Sequence, residues 1–122
     1  MTRAWLAAAA IAGFVSVAAA AVAAYLAIGD RAAELLRTGA LYGMVHAAAL
    51  IGVTMMAETR TQPDLTLIIA GCGFAAGLML FSLSLFTLAL TGFKWLGLIT
   101  PVGGVGLLIG WAALGARALY RR

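Results

Sequence analysis

His46, Tyr42, Ser82 and Ser84 are the side chains in this chain of 122 residues whose types and positions could support chemistry inside otherwise apolar runs. An imidazole can carry a proton, ligate a metal or bridge two hydrogen-bonding groups. An ionisable side chain within a membrane segment is a functional candidate in its own right. Tyr42 stands one helical turn before His46. Counting about 1.5 Å per residue from the segment ends places Ser82 at nearly the depth of His46. The expectation is a polar layer of His46, Ser82, Tyr42 and Ser84, in which a neutral ring donates from one nitrogen and accepts at the other. Tyr42 is placed to reach Thr87 or Thr100. Two readings stay open: ordinary interhelical hydrogen bonding, or a small hydrated cavity that handles protons or a ligand.

The same inventory excludes much. A protein metal site needs three or four ligands. The chain offers one histidine, one cysteine and no carboxylate in the middle of a span, so no metal site is expected. A haem would need a second ligand, and Met44 lies on another face of the helix, so no cofactor is expected. There is no nucleophile–base pair, no phosphate-cradling loop and no paired carboxylates. No catalytic residues and no enzyme activity are expected.

The elements that must position these residues follow from composition. The chain is 65% hydrophobic and 10% charged, against about 45–50% and about 25% in soluble domains. A spanning helix needs about 20 predominantly apolar residues. Four segments qualify: 4–27, 38–56, 65–91 and 96–116. Their apolar character is continuous and does not alternate, which argues for helices over strands. The expected fold is all-α, a single domain over residues 1–122, an integral membrane antiparallel four-helix bundle with short loops. Residues 30–37 are read as a short interfacial helix between the first two spans, with Asp30 as cap. Pro63 ends any helix before it, and Asp64 suits the N-cap of the third span. Gly92-Phe93-Lys94-Trp95 forms a tight turn. Pro101 is placed early in the fourth span, with Thr100 as cap or with 94–100 as a surface turn. Cys72, in an apolar run, is read as a small buried hydrophobe.

Small residues recur at four-residue spacing. They are Gly39 and Gly43 with Ala47, Gly73 and Gly77, Gly106 and Gly110, and Ser16 with Ala20 and Ala24. Gly103 and Gly104 add to the fourth span. Such stripes let helix backbones approach closely. They fit packing within the chain or docking of another subunit.

The net charge is +4. The basic residues sit at segment ends, where they set topology and meet headgroups, so no nucleic-acid partner is expected. Arg3, Arg60, Arg117, Arg121 and Arg122 fall on one side, and Arg31, Arg37 and Lys94 on the other. That bias places both termini in the cytoplasm. The first segment is long enough to span, so it is expected to be a span and not a cleaved leader.

Three motifs carry a resemblance. Leu41-Tyr42-Gly43-Met44-Val45-His46-Ala47, Leu80 to Phe86 with Leu88-Ala89-Leu90, and Thr100 to Trp111 resemble a family of small four-helix bacterial inner-membrane proteins. This is domain of unknown function four-twenty-three, with eukaryotic small transmembrane relatives. The resemblance implies a four-span fold in the cytoplasmic (inner) membrane and no assigned activity. Family members often carry a histidine at the end of the first span, after Ala-Phe-Gly-Ala. Here the matching run is Ala21-Val22-Ala23-Ala24-Tyr25, so a mechanism using two histidines lacks one. The favoured role is a structural or accessory protein that packs in the bilayer against itself or a larger membrane complex. The alternative is a small transporter or channel-like protein using the His46/Ser82 layer.

Overall fold

The computed structural model describes residues 1–120; Arg121 and Arg122 lie outside the described residues. Four α-helices follow one another: α1 (Thr2–Tyr25), α2 (Asp30–Glu58), α3 (Leu65–Thr91) and α4 (Ile99–Tyr120). A 3-10 turn, Lys94–Leu98, leads into α4. All four helices are long and apolar enough to cross a membrane. The protein is an all-helical membrane bundle.

The expected separate helix over residues 30–37 is instead the first two turns of α2. Nothing between Arg37 and Thr38 breaks the backbone, and Ala33 and Leu36 are already buried. Arg37 donates to the Ala23 carbonyl at 3.4 Å and ties this start to the end of α1. The N-cap of α2 is Gly29, at φ +91°, and Asp30 stands in the first turn, where its charge suits the helix dipole. Asp64 caps α3 as its type and place suggest, accepting from the N–H groups of Thr66 and Leu67. Gly92, at φ +75°, closes α3 in the left-handed conformation. Thr100 is not a cap. It lies within α4, and its hydroxyl turns to Ser84. Pro101 sits in the first turn of α4, where its missing N–H breaks no helix bond.

Packing follows size. The buried seam of α1 is Trp5, Ala9, Ala12, Ser16, Ala19 and Ala23. Spacings of three and four residues make it the narrow stripe of a coiled-coil contact. The stripe through Ala20 and Ala24 expected from sequence is displaced by one position, to Ala19 and Ala23. A seam of small side chains lets α1 lie close against α2. The central helix is α3, which packs against α1, α2 and α4. Phe74, Leu50, Leu67 and Leu78 form the middle of the core. Cys72 is exposed on α3 and not buried. In a bilayer an apolar residue is equally at home facing lipid, so an apolar run does not say which residues face inward.

The contact between α3 and α4 is backbone to backbone. A Cβ on Gly77 would stand 2.6 Å from the Leu107 nitrogen and 2.7 Å from the Gly103 oxygen. One on Gly73 would meet the Gly106 oxygen at 2.9 Å, and one on Gly106 would meet the Gly77 Cα at 2.9 Å. A Cβ on Gly110 would stand 2.6 Å from the Phe74 ring, and one on Gly39 would stand 2.5 Å from the Phe86 ring. Gly104 differs, since a Cβ there would meet the Phe81 ring at an ordinary 3.7 Å. These glycines serve close approach, as small residues do between membrane helices.

Candidate functional site

The α2 and α4 backbones do not pack against each other. A groove of about 490 Å³ separates them, floored by Phe81 of α3 and lined by Tyr42, His46, Gly104, Leu108 and Trp111. His46 is buried at the bottom. Its Nδ1 lies 2.7 Å from the Tyr42 carbonyl, and its Nε2 lies 3.0 Å from the Trp111 indole nitrogen. A carbonyl can only accept and an indole N–H can only donate. Nδ1 therefore carries the proton and Nε2 the lone pair. The imidazole is in one neutral tautomer with both nitrogens engaged.

Aromatic neighbours hold the ring. Tyr42 lies nearly parallel to it, at 5.9 Å and 8°. Trp111 meets it edge-on at 5.8 Å and 70°, and Phe74 is tilted against it at 5.9 Å. Trp111 also makes a T-shaped contact with Phe74 at 5.1 Å. Three helices thus converge on one imidazole. Tyr42 packs on Phe81 at 4.9 Å and does not reach Thr87 or Thr100. Its side is partly exposed at the groove.

The expected layer joining His46 to Ser82 is not what the helices build. Ser82 is buried, but its hydroxyl donates to the Gly39 carbonyl at 3.1 Å. It faces the level of Gly39 and Gly43, a turn short of His46, and toward α1. The count from Thr38 set the origin of α2 too deep, because the helix starts at Asp30. Beside Gly43 lies the fully buried Ser16 hydroxyl, which fills the space a side chain at position 43 would need. Among the described residues the Ser16 oxygen has no hydrogen-bond partner. Ser84 joins α3 to α4 instead, with its hydroxyl 2.6 Å from that of Thr100 and 2.9 Å from the Phe81 carbonyl. The four residues expected in one layer fall into three separate interhelical contacts. Trp111, the partner of His46, ends the Thr100 to Trp111 motif and is not among the residues expected in the layer. An indole N–H in a span with a lone imidazole acceptor opposite was the available signal.

A second polar cluster lies at the end of the bundle that holds the N-terminus. Arg117 of α4 bonds the Asp64 carboxylate at the start of α3. Arg60 lies 3.9 Å from the same carboxylate. The Thr66 hydroxyl, at 2.6 Å, does most to hold the Asp64 carboxyl below the ordinary carboxylate range. The Leu67 N–H and Arg117 add to this, while burial pushes the other way. A depressed carboxyl stabilises the fold above its unfolded pKa and loses that contribution as pH falls through the folded value. The thermal midpoint in detergent should therefore hold from neutrality to about pH 5 and decline below about pH 4. Asp64→Asn should lower the midpoint at neutral pH and flatten the acid decline. An acid decline equal in the variant and the parent chain would assign it to other carboxylates.

Among the described residues no three of His, Cys, Asp and Glu stand close enough to share a metal ion. The arrangement is suited to holding helices at fixed spacing and rotation.

Comparison with known proteins settles the family. Residues 18–104 match the family described as protein of unknown function (DUF423). The chain belongs to this family. A relative, UPF0382 inner membrane protein YgdD of Escherichia coli strain K12, is 34% identical over 119 residues, 93% of this chain and 89% of its own length. UPF0382 membrane protein YwdK of Bacillus subtilis is 38% identical over 84 residues, 69% of this chain and 68% of its own. UPF0382 membrane protein SAB0533 of Staphylococcus aureus is 37% identical over 87 residues, 71% of this chain and 69% of its own. No solved structure matches the chain. The DUF423 match and the four apolar helices make this an integral membrane protein, surrounded by lipid.

Proposed function

We propose that the protein is a structural or accessory component of the bacterial inner membrane, packing against its own copies or a larger membrane complex. The observation that carries this reading is the use of both His46 ring nitrogens within the chain, one on Tyr42 and one on Trp111. The strongest polar group in the spans is thereby committed to joining α2 to α4. The buried hydroxyls of Ser82 and Ser84 are likewise bonded to Gly39 and Thr100. A transporter would turn such groups toward a solute and would break helices near the midplane. Here α1, α2 and α3 run unbroken over 24, 29 and 27 residues.

The test is purification of the tagged chain in mild detergent, with co-purifying proteins identified and counted. A defined membrane protein, or a second copy, in constant ratio is the expected result. A clean monomer across several mild detergents would oppose the accessory role.

Within this reading both termini face the cytoplasm. Arg3, Arg60 and Arg117 stand at one end of the bundle, and Arg31, Arg37 and Lys94 at the other; the two further arginines counted with the first group lie outside the described residues. In a Cys72→Ala background, Thr61→Cys should be protected from an impermeant maleimide on whole cells, and Phe93→Cys should be labelled. Phe93 is chosen over Gly92 because the left-handed backbone of Gly92 would strain a side chain. The reverse pattern would invert the orientation and leave the fold untouched.

A further inference from the structure

Two of the three described arginines at the Asp64 end are paired, Arg3 being the exception, and the cations at the other end are not. At the end with Asp64, Arg60 and Arg117 share that one carboxylate. At the other end, neither Arg31 nor Lys94 has a carboxylate within 4.0 Å among the described residues, although Asp30 and Glu34 are close in sequence. Arg37, the third cation there, turns to the Ala23 carbonyl. Arg31 and Lys94 both line an opening of about 680 Å³, bounded by the α1–α2 connection, the start of α2, the end of α3 and the 3-10 turn. Its wall below them is apolar, with Ile28, Leu35 and Leu88. Asp30 is the one acid on the rim, so the lining carries a net positive charge.

The glycines of this opening bear on its width. Gly29 and Gly92 are required by their positive φ. Gly97 is not, and a Cβ placed on it would meet nothing within 4 Å. Neither its backbone nor its packing within the chain calls for a glycine. Its missing side chain leaves the opening wide where the 3-10 turn borders it.

The opening lies where spanning helices end, so its apolar wall is level with the outermost part of the hydrocarbon and its cations with the headgroups. We propose that it binds one anionic phospholipid, with the phosphate between Arg31 and Lys94 and an acyl chain along Leu35 and Leu88. The amphipathic lining selects a lipid over a free anion, since inorganic phosphate would leave the apolar wall uncovered. This inference does not depend on the accessory role or on the orientation.

The test is native mass spectrometry of the whole chain, titrated in mild detergent with phosphatidylglycerol or phosphatidylcholine. Retention of one phosphatidylglycerol in preference to phosphatidylcholine is the expected result. Arg31→Gln and Lys94→Gln should each lower that retention about fivefold, the size expected of one basic residue at a membrane surface. Asp30→Asn should raise it, a gain that loss of folding cannot imitate. Gly97→Leu should abolish it with an unchanged circular dichroism spectrum. Arg60→Gln, at the opposite end, should leave it unaltered. Equal retention of the two lipids would overturn the proposal, as would unchanged retention in the Arg31→Gln/Lys94→Gln double variant. Displacement by an equal concentration of inorganic phosphate would overturn the lipid and leave a phosphate site.

Discussion

Gly106→Leu is expected to separate α3 from α4 and to lower the thermal midpoint in detergent. The cause is the identity of the neighbours. A Cβ at position 106 would stand 2.9 Å from the Gly77 Cα and 3.2 Å from its nitrogen. A side-chain neighbour could rotate away; a helix backbone cannot. Overpacking typically costs about 1–3 kcal/mol, and contact with backbone places this change at the upper end, about 3 kcal/mol. Gly77→Ala should follow the same direction, because even one methyl group meets backbone atoms of both Gly103 and Leu107. Gly104→Ala is the contrast. Its Cβ would enter ordinary contact with the Phe81 ring, so it should stay within about 0.5 kcal/mol of the parent chain. Equal effects at 104 and 106 would contradict close packing as the reason for the glycines.

The second large effect is expected at His46. His46→Leu removes the acceptor for Trp111 and strands the indole N–H at the edge of the groove. Interhelical hydrogen bonds in membranes average about 0.6 kcal/mol and reach about 1.7 kcal/mol. Loss of the ring contacts with Phe74 and Trp111 adds about 0.5–1.5 kcal/mol for each aromatic pair. Trp111→Phe keeps an aromatic ring beside Phe74 but removes the donor and part of the ring area, so it should cost at least about 0.6–1.7 kcal/mol. Because each substitution breaks the same bond, the double variant should cost less than the two changes added together. His46→Gln retains a carbonyl that can accept from Trp111 and should keep most of the stability. Strict additivity of His46→Leu and Trp111→Phe would show that the two do not act through one bond.

The spans were legible because bilayer thickness imposes a length on any apolar helix, and four segments meet it. The start of α3 was legible because Asp64 follows Pro63 and the polar turn. The join between Arg37 and Thr38 was not, since a charged stretch at a membrane boundary reads the same whether it begins the spanning helix or precedes it. Depth bookkeeping failed at His46 for two reasons. It inherited the wrong origin for α2, and depth fixes a height along the bundle but not the direction a side chain faces. Ser82 and His46 therefore turned out to serve different neighbours, Gly39 and Trp111. The inward face of each helix was hardest to read. Lipid and protein interiors are equally apolar, so Cys72 on α3 and Ala20 on α1 carry no mark of their side. Glycine is a partial guide: Gly73, Gly77, Gly103, Gly106 and Gly110 face protein, while a Cβ on Gly13, Gly52 or Gly115 would meet nothing within 4 Å.

The role of His46 as a clamp between α2 and α4 is tested most directly by nitrogen-15 NMR of the chain labelled at histidine, reconstituted in bilayers at neutral pH. The chain holds one histidine, so the signals belong to His46, and couplings to the ring carbons distinguish Nδ1 from Nε2. A protonated Nδ1 and an unprotonated Nε2 are expected, with the Nε2 signal shifting in Trp111→Phe. A proton on Nε2, in either the other tautomer or the imidazolium, would contradict the clamp, as would an Nε2 signal indifferent to Trp111→Phe.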